Sequence, residues 1–154
     1  MMQRIVLITL TLFSLYSANA LAAADGLIVM KSAHSASVTL DRLQTVLKSK
    51  GIRVFARVSH KDNAKGVGMD LRPTELLIFG NPKLGTHFFT SKQSAGIDLP
   101  MKMLAWEDKN GQTWLAYNDP AYIAKRHGIG NRKEVVGKMR KALKKFSTTA
   151  ASKP

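Results

Sequence analysis

Thr74-Glu75-Leu76-Leu77-Ile78-Phe79-Gly80-Asn81-Pro82 decides the fold. Leu76 to Phe79 is an unbroken apolar run, too short for a helix, and it reads as a strand buried on both faces. Arg72-Pro73 bounds it in front and Gly80-Asn81-Pro82 behind. Pro82 holds Asn81 extended, and Gly80 permits a tight turn or the close approach of a neighbour. The strand therefore ends by placing a side-chain amide at the edge of the core, where a site can be built.

Upstream, Gly26–Lys31 reads as a first strand. Val38–Lys50 carries Leu40, Leu43, Val46 and Leu47 at helical spacing, with Ser37 as the expected N-cap and Gly51 as the left-handed stop. Ile52–Val58 alternates Val54, Ala56 and Val58 against Arg53, Phe55 and Arg57, a strand that runs into Ser59-His60. A loop or short helix spans Lys61 to Pro73. Downstream, Lys83–Gln93 reads as a short helix with Leu84 and Phe88 inward, followed by a loop to Pro100. Met101–Trp106 and Thr113–Asn118 form a hairpin across Asp108-Lys109-Asn110-Gly111, since Asn-Gly tolerates positive φ. Asp119-Pro120 opens a short helix to about His127. Asn131 and Glu134 stand where a capping box begins the last helix, whose inner stripe is Val135, Met139, Leu143 and Phe146. This order predicts an α+β fold, a mainly antiparallel sheet with helices on one face. Trp106 and Trp114 are expected in the core.

The ends and the charge bear on location. An apolar run from Ile5 to Tyr16 follows Arg4, and Ala20, Ala22 and Ala24 complete small-x-small patterns. That predicts a signal peptide over 1–24 and a periplasmic or secreted protein. The single domain then spans 25–147, with a frayed tail over 148–154. Without cysteine, neither disulfides nor thiol chemistry are available. The chain carries 24 Lys and Arg against 10 Asp and Glu, a formal charge of +14. In an exported protein that excess points away from nucleic acid and towards anionic envelope components, or merely to solubility.

Several signatures follow one another: LIFGNPKLGT from Leu77, Gly96-Ile97-Asp98-Leu99-Pro100-Met101-Lys102, Tyr117-Asn118-Asp119-Pro120, and Arg126-His127. In this order they resemble the family catalogued as domain of unknown function 302, DUF302, over about Asp25 to Phe146. The resemblance implies a β-α-β(4)-α fold and carries no assigned activity.

His60, Asn81 and Asp98 fall at expected strand ends, with Tyr117 and Asn118 on a neighbouring strand. If those ends converge, they form a small-ligand site, and a His60/Asp98 pair could serve a hydrolase or isomerase as acid and base. Taken singly, each has an ordinary role as strand cap, Asx-turn or loop acceptor. Gly128-Ile129-Gly130-Asn131, leading into a helix and flanked by Arg126, Arg132 and Lys133, is a weaker candidate for an anion. The four histidines lack metal-ligand spacing, no G-x-S-x-G elbow occurs, and no cofactor motif is present. The expected function is an exported, non-enzymatic binding or accessory domain, acting as a homodimer. The alternatives are the acid–base enzyme and a basic protein that docks on the envelope.

Overall fold

The computed structural model describes residues 26–153. The expected signal peptide lies outside them. Five strands form one sheet in the order β1-β5-β4-β3-β2, and every neighbouring pair is antiparallel. They are β1 (Leu27–Lys31), β2 (Arg53–Ser59), β3 (Thr74–Gly80), β4 (Met101–Glu107) and β5 (Thr113–Asn118). The helices are α1 (Ala36–Ser49), α2 (His60–Gly66), α3 (Pro82–Phe89), α4 (Pro120–Arg126) and α5 (Lys133–Ala151), with a 3₁₀ turn at Gln93–Ile97. This is the expected α+β architecture.

Helix α1 lays Leu40, Leu43 and Leu47, all fully buried, on the face of the sheet that carries Leu77, Met103 and Leu115. Its cap is Ser35 rather than Ser37: the Ser35 hydroxyl accepts from Val38 N, and the helix begins two residues earlier. Ser37 instead accepts from Arg57, whose guanidinium also pairs with Asp41 and Glu75 and ties α1 to the sheet. Helix α1 stops at Gly51, which has φ +65°.

Two strands depart from their expected burial. In β2 a bulge lies between Val54 and Ala56, so Val54 packs on the core while Ala56 and Val58 take the opposite face. The extra residue, Phe55, is left 44% exposed. In β3, Leu77 and Phe79 are buried against the helices, but Leu76 and Ile78 point to the other face and stay half-buried. The strand is thus covered on one face only among the described residues. Trp106 and Trp114, paired directly across β4 and β5, lie on that same far face rather than in the core.

The C-terminal segment corrects another expectation. Helix α5 continues to Ala151, with Ser147, Ala150 and Ala151 buried, so residues 148–151 are helical and not frayed. Small side chains allow close approach there, and the last carbonyls are capped from a distance. Arg42 donates to the carbonyls of Thr149, Ala150 and Ser152, and Ala33 N donates to Ala151 O. At the other end, Arg132 occupies the N-cap position without a side-chain cap. The expected box of Asn131 and Glu134 does not form. Asn131 accepts from Ser91 and Glu134 pairs with Lys138.

Two substitutions probe this frame. Gly26 has φ +82°, and a Cβ there would overlap the Tyr122 side chain. Gly26→Ala is expected to cost at least about 2 kcal/mol, from left-handed strain and the forced shift of Tyr122, read as a lowered melting temperature. In the hairpin, Asp108 accepts from Trp114 Nε1, 2.8 Å, and from the amides of Asn110 and Gln112. Chiefly through the indole donor, these hold its carboxyl below the usual carboxylate range. Its stabilisation is therefore present above the unfolded carboxyl value of about 3.9 and is lost as pH falls through the lower folded value. Acid titration followed by tryptophan emission should show this loss, and Asp108→Asn should remove that part of the pH dependence.

Candidate functional site

At the end of the sheet where β3 meets α3, a cavity of about 200 Å3 opens between the strand ends, α3 and α5. Phe79 and Met101 form its sheet side, Leu84 and Phe89 come from α3, and Met139 and Phe146 from α5. Phe55, turned out by the β2 bulge, forms part of its border. Helix α3 is positioned by the sequence read at the outset. The Asn81 side chain accepts from Lys83 N at 2.9 Å, and Pro82 fills the first helical position. Phe88, fully buried, anchors the helix to the core. Asn81 and Thr86 bring side-chain polar groups to an otherwise apolar wall.

Beside this cavity stands a polar series. Asp98 follows the 3₁₀ turn and precedes Leu99 and Pro100, two further lining residues. Its Oδ2 lies 2.7 Å from His127 Nε2, and its Oδ1 lies 3.2 Å from the Arg126 guanidinium. His127 Nδ1 lies 3.0 Å from Ser94 Oγ. The His127 and Asp98 side chains are only 8% and 12% exposed, whereas Ser94 is exposed. With Nε2–H donating to the carboxylate, Nδ1 is free to accept the serine proton, so a hydroxyl, an imidazole and a carboxylate stand in hydrogen-bonded order.

The strand-end residues do not all converge. Asn81 borders the cavity and Asp98 adjoins it. His60 begins α2 at the opposite end of the sheet, separated from Asn81 by the seven residues of β3, about 20 Å. The histidine of Asp98 is therefore His127, not His60. Tyr117 lies at the Asp98 end but borders a second hollow of about 450 Å3, with Ile28, Met30 and Arg140. Burial raises its phenol above the ordinary value, a shift partly offset by a hydrogen bond with Ser147. Asn118 is exposed at the end of β5.

Of the anion candidates, Arg126 is committed to Asp98. Arg132 donates to His87 O and Ser91 Oγ, closing the end of α3. Gly130 and Lys133 remain exposed with no cradle around them. Among the described residues, no three histidine or carboxylate side chains gather as metal ligands, and no helix is long and apolar enough to cross a membrane.

Burial makes a separable prediction here. Asp98→Ala leaves a nearly buried imidazole without its acceptor and should cost about 1–3 kcal/mol in a denaturant melt. His60→Ala should change stability by less than about 0.5 kcal/mol.

A single β sheet, helices on one face and the FGNP and IDLP segments at one end define the class. Residues 28–146 match the family described as "Domain of unknown function DUF302", and the chain belongs to that family. A crystal structure of an uncharacterised conserved DUF302 protein from Bacillus stearothermophilus superposes with a TM-score of 0.74 over 82% of this chain and 99% of that one, at 21% identity. The fold is thus shared. A protein of Brucella suis biovar 1 (strain 1330) named "Fluoride-specific ion channel FluC 1" is 47% identical over 111 residues, which is 72% of this chain and 44% of that protein. A protein of the same name from Brucella abortus biovar 1 (strain 9-941) is 47% identical over 111 residues and 41% of its length. The chain spans less than half the length of these curated relatives.

Proposed function

We propose that this chain is an exported, non-enzymatic binding domain that holds a small, largely apolar molecule in the cavity between β3, α3 and α5. One observation carries the reading: the cavity is walled by side chains continuous with the core, yet it opens to solvent at a strand end. A cavity of about 150 Å3 lined by leucine, isoleucine and phenylalanine takes up benzene. At about 200 Å3 this one suits one aromatic ring or a short branched alkyl chain rather than a drug-sized ligand. Asn81 and Thr86 would orient a single polar group at the mouth. The N-terminal sequence pattern supports export. The test is a methyl-resolved NMR titration with small aromatic and alkyl compounds. Shifts confined to Leu84, Leu99, Met139 and Leu143 support the reading, and shifts scattered over the surface or absent for every compound reject it.

A second reading is favoured by the Ser94–His127–Asp98 order. His127 would take the Ser94 proton as the hydroxyl attacks an acyl carbon, and Asp98 would hold the imidazolium. The proton would then pass to the leaving group as its bond to the acyl carbon breaks, and water would later release the acyl group from Ser94. Incubation with an organophosphonate probe tests it. Labelling of Ser94 that disappears in His127→Ala supports a hydrolase, and an unlabelled protein returns the series to a structural role.

A further inference from the structure

We propose that the face of the sheet turned away from the helices is the interface of a symmetric homodimer, two copies packing sheet on sheet. The register fixes its composition. Val29 on β1, Trp114 on β5, Leu104 and Trp106 on β4, and Leu76 and Ile78 on β3 all point to this side. They belong neither to the core nor to the half-buried side chains packed on it. Antiparallel sheets that turn one face to water carry polar residues there. This sheet is mostly apolar on both faces, and helix α2, the one described helix outside the core cluster, buries no residue.

The size and charge of the face select the occupant. Five strands spaced about 4.8 Å apart and about 20 Å long give a footprint of roughly 500 Å2 before side-chain relief is added. Its six apolar side chains stand half-buried in one copy, and two such faces bring together about 1,000 Å2 in all, the lower bound for a specific interface. A chain of charge +14 repels its own copies through most of its surface. Two lysines stand on this face, Lys102 beside Ile78 and Lys31 beside Trp114. Lys102 Nζ folds back on the carbonyls of Asp98 and Pro100, at 3.0 and 3.1 Å, and Lys31 Nζ lies 5.6 Å from the Trp114 ring centroid. The lysines of α5 belong to the opposite layer, so contact through the sheets holds the two basic helices far apart. With only two lysines among its described residues, the face is far less basic than α5, which is the surface an anionic membrane would prefer. A two-fold contact needs one self-complementary patch, and a largely apolar sheet face provides it at the ~10 Å spacing of packed sheets.

Trp106 and Trp114 are the only two tryptophans in the chain, so intrinsic fluorescence reports this face alone. The experiment is sedimentation equilibrium of protein expressed from the full sequence, with tryptophan emission and acrylamide quenching followed on dilution. The expected result is twice the chain mass, with shielded tryptophans that become red-shifted and quenchable as the dimer dissociates. Leu104→Asp, a charge at the centre of the face, should weaken association at least about a hundredfold while its far-UV circular dichroism is retained. A wild-type monomer overturns the proposal. If its tryptophans are nonetheless shielded, a segment of the same chain or another molecule covers the face. A dimer whose tryptophans stay quenchable overturns it too, as does a folded Leu104→Asp variant that remains dimeric. Should Leu104→Asp not fold, the dilution series on the wild type decides alone.

Discussion

Phe88→Ala is expected to lower the unfolding free energy by about 3–5 kcal/mol, the range for removing a fully buried aromatic side chain. Phe88 has no exposed surface, and it is the one residue of α3 that is fully buried. Its removal opens a cavity under an eight-residue helix too short to hold its form without tertiary packing. Against a total of about 5–15 kcal/mol for a domain of this size, the melting temperature should fall by about 10–20 °C. The loss should not be uniform. Helix α3 forms one wall of the cavity, so amide exchange from Leu84 to Phe89 should accelerate more than exchange in β4. A loss below about 1.5 kcal/mol would show that α3 is held by something other than Phe88.

Gly85→Phe should abolish uptake of an apolar ligand while leaving the fold intact. Gly85 borders the cavity in the middle of α3, and a Cβ built there meets only the Phe89 ring, at 3.8 Å. That is ordinary van der Waals contact, so the new side chain begins without a clash and its ring extends into the cavity. Replacing a helical glycine also lowers the backbone entropy cost, which for alanine contributes about 1 kcal/mol. The melting temperature should therefore hold or rise as binding is lost. Binding that survives with affinity within about threefold would place the ligand elsewhere, the hollow beside Tyr117 being the next site to examine.

The sequence shows the frame more readily than the site because the two depend on different ranges of interaction. Strand and helix order follows from local periodicity and from turn chemistry such as Asn110-Gly111 and Asp119-Pro120, which act within a few residues. Which strand ends meet depends on the pairing of β2 with β3. Antiparallel pairing sends His60 and Asn81 to opposite ends, so two residues that both follow a strand part company. The partner of Asp98 came instead from 29 residues downstream, through α4. His127 was visible in the family-like Arg126-His127 pair, but nothing local assigned it a partner. The cavity was illegible for a related reason. Phe55 reaches it only because a bulge breaks the alternation of β2, and no residue in that strand is a glycine or proline that would announce one. The far face misled in the opposite direction. Leu76 to Phe79 reads as buried on both sides, and the described helices cover only one. Trp106 and Trp114 share that uncovered side, which is where the sequence's demand for burial and the fold of a single copy disagree.

The most direct test of the binding account is native mass spectrometry of the wild-type protein and of Gly85→Phe, each incubated with a small-molecule extract of the exported fraction of the host. The account predicts a defined organic mass retained on the wild type and absent from the variant. Equal retention by both proteins, or a bare polypeptide mass for the wild type, would contradict it.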